Sequence, residues 1–265
     1  MTTGTRPSFY HQLTLQLDVI GALVLRELHT RFGRNNIGYL WLIGEPLMLA
    51  TVIGALHAFQ PQHVGSTLPP VAMALIGYCI FIIFRGIFNR AESVLETNLP
   101  LMYHRMISAL NISIARVIIE TAGCLCSLAI LLGLAISLGY ADLPARPLYL
   151  LGGIAAMVWL SFALGLNITA VTFDRPTLGR LVHPVSYFMM PLSGAFFTVD
   201  WLPYDLQQIF DWNPMAIIFE YCRYGMFEMA SDKHLFPGYV AGCCAFLTYT
   251  GLLGVRRVRN RVHLR

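Results

Sequence analysis

Lysine is almost absent from this 265-residue chain: Lys233 is the only one. A phosphate-binding loop of the GxxxxGK[ST] kind needs a lysine directly before Ser or Thr, so a nucleotide site of that type is excluded. No GxGxxG follows a strand pattern, and no GxSxG nucleophile elbow occurs, which removes two common enzyme signatures. Charge of either sign is scarce. Asp, Glu, Lys and Arg make up 12% of residues, against about 25% in ordinary soluble domains. The six cysteines (Cys79, Cys124, Cys126, Cys222, Cys243 and Cys244) match neither zinc-ligand spacing nor a disulfide framework, and read as small buried hydrophobes. None of the eight histidines stands at metal-ligand spacing from a His, Cys or carboxylate on one helix. A cleavable signal pattern is not expected, because the segment after Met1 is polar and the first long apolar run starts near Tyr39.

Apolar surface is what the chain has in excess, at 56% hydrophobic residues and a mean hydropathy of +0.61. A bilayer is the solvent that stabilises such a composition, and the expected class is an all-α integral membrane protein without a separate catalytic domain. Six runs are long enough to span: 39–59, 70–88, 113–139, 148–171, 181–198 and 236–255. The chain divides into a cytoplasmic segment 1–38, a six-span bundle 39–255 and a basic tail 256–265. Pro69 and Pro70 suit a helix start, where a missing N–H costs nothing, while Pro184 and Pro191 predict a kink or break in the fifth run. Ahead of the first span, Phe9, Leu13, Leu17, Ile20, Val24 and Leu28 recur at helical spacing, with Arg26, Glu27, Arg31 and Arg34 interrupting. That pattern predicts an N-terminal amphipathic helix in the membrane interface, or else a soluble docking helix.

Fifteen of the eighteen Lys and Arg residues fall on one side of this arrangement, leaving Arg146, Arg223 and Lys233 on the other. The excess places both termini in the cytoplasm. On the outer side, residues 199–235 contain WLPYDLQQIFDW, read as a short amphipathic helix carrying Leu202, Leu206 and Ile209 on one face. After Asn213-Pro214, MAIIFEYCRYGMFEM reads as a second short helix. Runs of this length suit re-entrant or interfacial helices between spans five and six, with Trp201, Tyr204 and Trp212 at headgroup level.

The cytoplasmic stretch 89–112 reads either as a short surface helix, able to dock a motor subunit, or as a solvated loop. Its candidates for coupling are Leu95, Asn98, Leu99, Pro100, Leu101 and Tyr103. Charges within or near spans are costly and often functional, which singles out Glu45, Arg85, Arg116 and Glu120. Arg116 and Glu120, four apart on one face, either pair structurally or line a polar path. Arg26, Arg31, Arg34, Arg85 and Arg116 either set topology or contact an anion through the planar guanidinium fork. Tyr39, Trp41, Tyr78, Phe81 and Phe84 offer a stacking surface for sugar rings, although Phe81 and Phe84 fit core packing better.

RFGRNNIGYLWLIGEPLMLATVIGALHAF, residues 31–59, with Gly38 to Trp41 and Glu45-Pro46, resembles the start of the first span in permeases of ABC-type exporters, and the capsular polysaccharide branch above all. The elements around Asn98 to Leu101, and from Asp174-Arg175 through PLSGAFFTVDWLP to Asn213-Pro214, are similar in order and spacing. The resemblance implies a single permease domain, 1–265, that exports lipid-linked, often anionic polysaccharide across the bacterial inner membrane. It also implies as partners a second copy of the chain, two separate ATPase subunits that bind ATP and Mg, a periplasmic co-polymerase and an outer-membrane channel. No cofactor within this chain and no nucleic-acid partner are expected. An O-antigen, teichoic-acid or small-molecule permease, and a membrane-embedded enzyme acting on lipid or glycolipid, are the alternatives.

Overall fold

Proline and capping residues decide where the helices begin. The computed structural model describes residues 9–32, 38–58, 68–98 and 107–262, and it is helical throughout apart from turns and short connections. Helices α1 (Phe9–Phe32) and α2 (Gly38–Ala58) precede α3 (Pro70–Arg90), which starts on Pro70 after an extended Pro69. Helix α4 (Ala109–Ser137) is capped by Ser108, whose hydroxyl accepts from the Asn111 N–H at 3.3 Å. It ends in a Schellman turn: Tyr140 N–H donates to Ala135 O and Gly139 N–H to Ile136 O, with Gly139 at φ +77°. Helix α5 (Pro147–Asp174) again begins on proline. The remaining helices are α6 (Gly179–Leu192), α7 (Tyr204–Phe210), α8 (Pro214–Met226) and α9 (Pro237–Val262).

Among the described residues four helices are long and apolar enough to cross a membrane: α3, α4, α5 and the Pro237–Val258 part of α9. Helix α2 contributes a shorter apolar stretch, Leu40–Leu56, broken in character by Glu45 and Pro46. The expected fifth run, 181–198, is helical only to Leu192, so α6 extends roughly 21 Å at about 1.5 Å per residue. Pro184 and Pro191 each remove one intrahelical hydrogen bond, and Gly194 at φ +77° turns the chain away. The connection 199–235 does hold two short helices, α7 and α8. Leu202 precedes α7 instead of lying on it, and Leu206 and Ile209 are exposed. Helix α8 is buried along almost its whole length, packed on α5.

Helix α3 is the centre of the bundle. It is the most buried of the four long apolar helices and touches α2, α4, α5 and α6. Tyr78, Phe81 and Phe84 are therefore core residues; Phe81 packs on Phe84 at 5.8 Å and Phe84 on Phe88 at 4.9 Å between ring centres. This matches the packing reading for Phe81 and Phe84 and removes Tyr78 from any sugar-facing surface. Gly77 lets the turn after α6 approach the α3 backbone, since a Cβ there would lie 2.0 Å from Ala195 O. On the far side, α9 joins α5 through polar contacts: Asn167 Nδ2 donates to Leu247 O at 2.7 Å and Trp159 Nε1 to Thr248 Oγ1 at 3.0 Å. Such contacts substitute for hydrophobic discrimination between helices in lipid.

Helix α1 lies across α4 and α2. Its covered face is centred on Leu23 and Glu27, with Val19, Ile20, Val24 and Leu28 partly covered, while Leu13 and Leu17 are exposed. The Glu27 carboxylate meets Arg116 of α4, 3.2 Å from its Nε.

Candidate functional site

Four helices enclose a cavity of about 640 Å³ at the end of the bundle where α3 finishes and α4 starts. Helix α3 presents Ile82, Arg85, Gly86, Asn89 and Arg90 to it, the i, i+3, i+4, i+7, i+8 face of one helix. Helix α2 adds Trp41, Glu45 and Leu49 at the same spacing, α4 adds Glu120 and Cys124, and α6 adds His183 and Tyr187 one turn apart. Helices α2 and α6 also carry exposed apolar side chains, among them Trp41, Met48, Leu49 and Val52 on α2 and Tyr187 and Phe188 on α6.

The polar groups of the cavity are held in place. The Arg85 guanidinium lies over the Tyr187 ring, 4.3 Å from its centre, a geometry that orients the planar fork and stabilises its charge. Arg90 Nε is 3.1 Å from Glu120 Oε1. The Glu120 carboxylate rests against Gly86, where a Cβ would come within 2.7 Å of Oε2. Glycine at 86 is thus what lets α4 bring a carboxylate to the wall of α3. His183 Nε2 reaches Glu92 Oε1 at 3.3 Å, linking α6 to the segment after α3. On α2, Pro46 has no N–H to offer Leu42 O, and that carbonyl lies where α4 comes closest, at Gly123. Ser127 Oγ adds a contact to Ile43 O at 2.9 Å.

A second polar cluster sits beside the cavity and ties four segments together. Arg116 is buried; its Nη1 donates to Arg90 O at 2.9 Å and its Nη2 to Thr97 Oγ1 at 3.2 Å, and its Nε faces Glu27. Arg26 Nη2 donates to Asn98 Oδ1, and Asn98 Nδ2 donates to Val94 O at 2.9 Å. Leu95 and Asn98 are both buried beneath α1.

The sequence-derived candidates divide accordingly. Trp41, Glu45, Arg85 and Glu120 converge on the cavity. Arg26 and Arg116 belong to the second cluster; Arg116 pairs with Glu27, and Glu120 with Arg90. Leu95 and Asn98 face inward instead of forming a surface ridge. Arg31 lies on α1 and Tyr39 on α2, with side chains outside the described set; Arg34, Leu99, Pro100, Leu101 and Tyr103 lie outside the described residues. Arg90, Asn89, His183 and Tyr187 were missed. Helical spacing from Arg85 would have reached Asn89, but nothing local marks α6 as a neighbour of α3.

On the opposite end, Arg223 and Glu220 of α8 form a buried pair, Nη1 to Oε1 at 2.7 Å. Arg146, one of the few cations on that side, donates to Tyr224 O and Phe227 O, capping the C-terminus of α8. The cavity, with two guanidinium groups, two carboxylates, an imidazole and two aromatic rings, can hold a polar, charged, ring-bearing molecule.

Residues 18–227 match the family of ABC-2 type transporters. The chain is 36% identical over 257 residues to the capsule polysaccharide export inner-membrane protein CtrC of Neisseria meningitidis serogroup B, covering 97% of each. It is 35% identical over 262 residues to the capsule polysaccharide export inner-membrane protein BexB of Haemophilus influenzae, covering 99% of each. The polysialic acid transport protein KpsM of Escherichia coli is more distant, at 25% over 227 residues, 86% of this chain and 84% of KpsM.

Proposed function

The chain belongs to the ABC-2 type transporter family, and from that premise we propose that it is the permease subunit of an ATP-driven exporter of lipid-linked capsular polysaccharide at the bacterial inner membrane. The observation that carries this reading is the charged, aromatic-lined cavity inside a bundle that aligns almost end to end with capsule-export proteins. Sugar rings stack on Trp41 and Tyr187 without demanding one sequence of sugars, and Arg85 meets carboxylate or phosphate groups along an acidic chain.

The remaining assignments follow from the family and from charge. ATP and Mg are bound by a separate ATPase, two copies of which serve two copies of this chain. The second copy covers the exposed apolar side chains of α2 and α6. Both termini are cytoplasmic by the distribution of arginine. Helices α2 to α6 and α9 make six spans, α6 completed by the turn after Leu192, with α7 and α8 re-entrant from the outer face. A periplasmic co-polymerase and an outer-membrane channel take the polymer onward. Leu95 and Asn98 are buried and act as the anchor, and Leu99, Pro100, Leu101 and Tyr103 are the residues proposed to meet the ATPase.

The decisive experiment is ATP hydrolysis in lipid nanodiscs. The chain alone hydrolyses no ATP, and the chain with its ATPase partner does so at a rate that a capsule glycolipid raises. Hydrolysis by the complex that ignores the glycolipid, or chemistry on the glycolipid by the chain alone, would refute the proposal. Arg85→Lys keeps the positive charge while losing the fork and its flat stacking on Tyr187, and capsule at the cell surface should fall about tenfold. Wild-type capsule levels in that variant would exclude Arg85 from the cargo path.

A further inference from the structure

An exporter must bind its cargo well enough to load it and loosely enough to let it move on. The cavity carries Arg85 and Arg90 against Glu45 and Glu120, so its fixed charges balance. The two arginines differ in their partners. Arg85 is stacked on Tyr187, whereas Arg90 is held at its Nε by Glu120 Oε1, 3.1 Å away. Both side chains line the cavity; that of Arg90 is 38% exposed and that of Glu120 only 8%. A guanidinium has five donors, and one carboxylate oxygen at Nε does not exhaust them. An anion entering the cavity therefore meets an arginine that already has an anion of its own.

We propose that Glu120 is the built-in counter-ion of the cavity, an internal anion that competes with acidic cargo for Arg90 and sets how weakly the cargo is held. The backbone on both sides is fixed for this purpose. Arg116 Nη1 holds the Arg90 carbonyl, and Gly86 leaves the space in which the Glu120 carboxylate reaches α3. Without the competitor, a polymer bearing a charge on each sugar would engage Arg85 and Arg90 together, and release would become the slow step. The inference rests on the acidic-cargo reading above and adds to it which residue limits affinity.

The test uses the complex of this chain with its ATPase, in nanodiscs for binding and in sealed proteoliposomes for export. The probes are a short polysialic acid oligomer and a neutral maltooligosaccharide of equal length. Glu120→Gln should bind the acidic oligomer about fivefold more tightly, with the neutral one unchanged, while the export rate falls. Gly86→Ala should move both quantities the same way, because its methyl displaces the flexible end of Glu120 from Arg90 without altering any charge. Affinity and rate moving in opposite directions separate this role from a structural one, which would lower both. Should Glu120→Gln fail to assemble, Gly86→Ala decides alone. Equal binding of the acidic and neutral probes by the wild type would defeat the acidic-cargo reading itself. A wild-type preference for the acidic probe that Arg85→Gln weakens, with unchanged or weaker binding in the Glu120 and Gly86 variants, would leave that reading standing and overturn the counter-ion.

Discussion

Arg223→Met should cost about 3–5 kcal/mol of folding free energy, read as a large drop in the midpoint of a denaturant titration of the detergent-purified chain. Arg223 and Glu220 are 3% and 5% exposed, on a helix whose neighbouring side chains Ile217, Ile218, Phe219 and Cys222 are buried as well. The Glu220 carboxylate takes the Arg223 Nη1 proton at 2.7 Å and the Val199 N–H at 2.9 Å, and Arg223 Nη2 donates to the Gly194 carbonyl. Removing the guanidinium leaves a carboxylate in an apolar surround and a buried carbonyl without that donor. Replacing both residues, as Glu220→Leu with Arg223→Met, should be milder than the single change, because it removes the charge that would otherwise stay desolvated. If the single variant is as stable as the wild type, the pair does not hold the turn after α6 onto α8.

The second large effect is expected on the other side of the bundle. Glu27→Leu should destabilise the chain by about 2–3 kcal/mol and free α1, seen as faster hydrogen exchange over residues 9–32. Glu27 Oε1 is 3.2 Å from Arg116 Nε, and both residues are buried. Arg116 would keep its bonds to Arg90 O and Thr97 Oγ1, which is why the loss is smaller than at Arg223. The same change should lower cargo-stimulated ATP hydrolysis in the complex more than basal hydrolysis, since Arg116 joins α1 to the turn at Thr97 beside the direct Arg26–Asn98 bond. Glu27→Gln, which can still accept a hydrogen bond, should lie between the two. Unchanged exchange in α1 would show that Leu23 and its apolar neighbours dock the helix without the ion pair.

These two sites illustrate what could be read beforehand. Arg116 and Glu120 stood out because charge in apolar runs is expensive, and the structure gives each an ion-pair partner. The partners were not legible, because the pairing Arg116–Glu120 suggested by four-residue spacing competes with pairings across helices that only packing can offer. Leu95 and Asn98 were placed on a surface from local polarity, yet α1 covers them. His183 and Tyr187 lie about a hundred residues from Arg85, and no pattern near either end announces that Tyr187 will sit under a guanidinium.

Composition and residue order alone were enough for the solvent, the helices and many of their ends. Transfer of apolar side chains into lipid is a local energy that adds along a run, and proline and glycine act on their own turn of backbone, as at Pro70 and Gly139. Which faces meet is another matter, since lipid tails are as apolar as leucine and a hydrophobic face gains little by choosing protein over lipid. Close approaches at Gly77 and Gly86, the polar contacts of Asn167, the ion pairs of Arg90 and Arg116, and the Arg223 hydrogen bond to the Gly194 carbonyl make that choice. Each depends on atoms far apart in the chain, so the cavity and its charge balance exist only in the folded bundle.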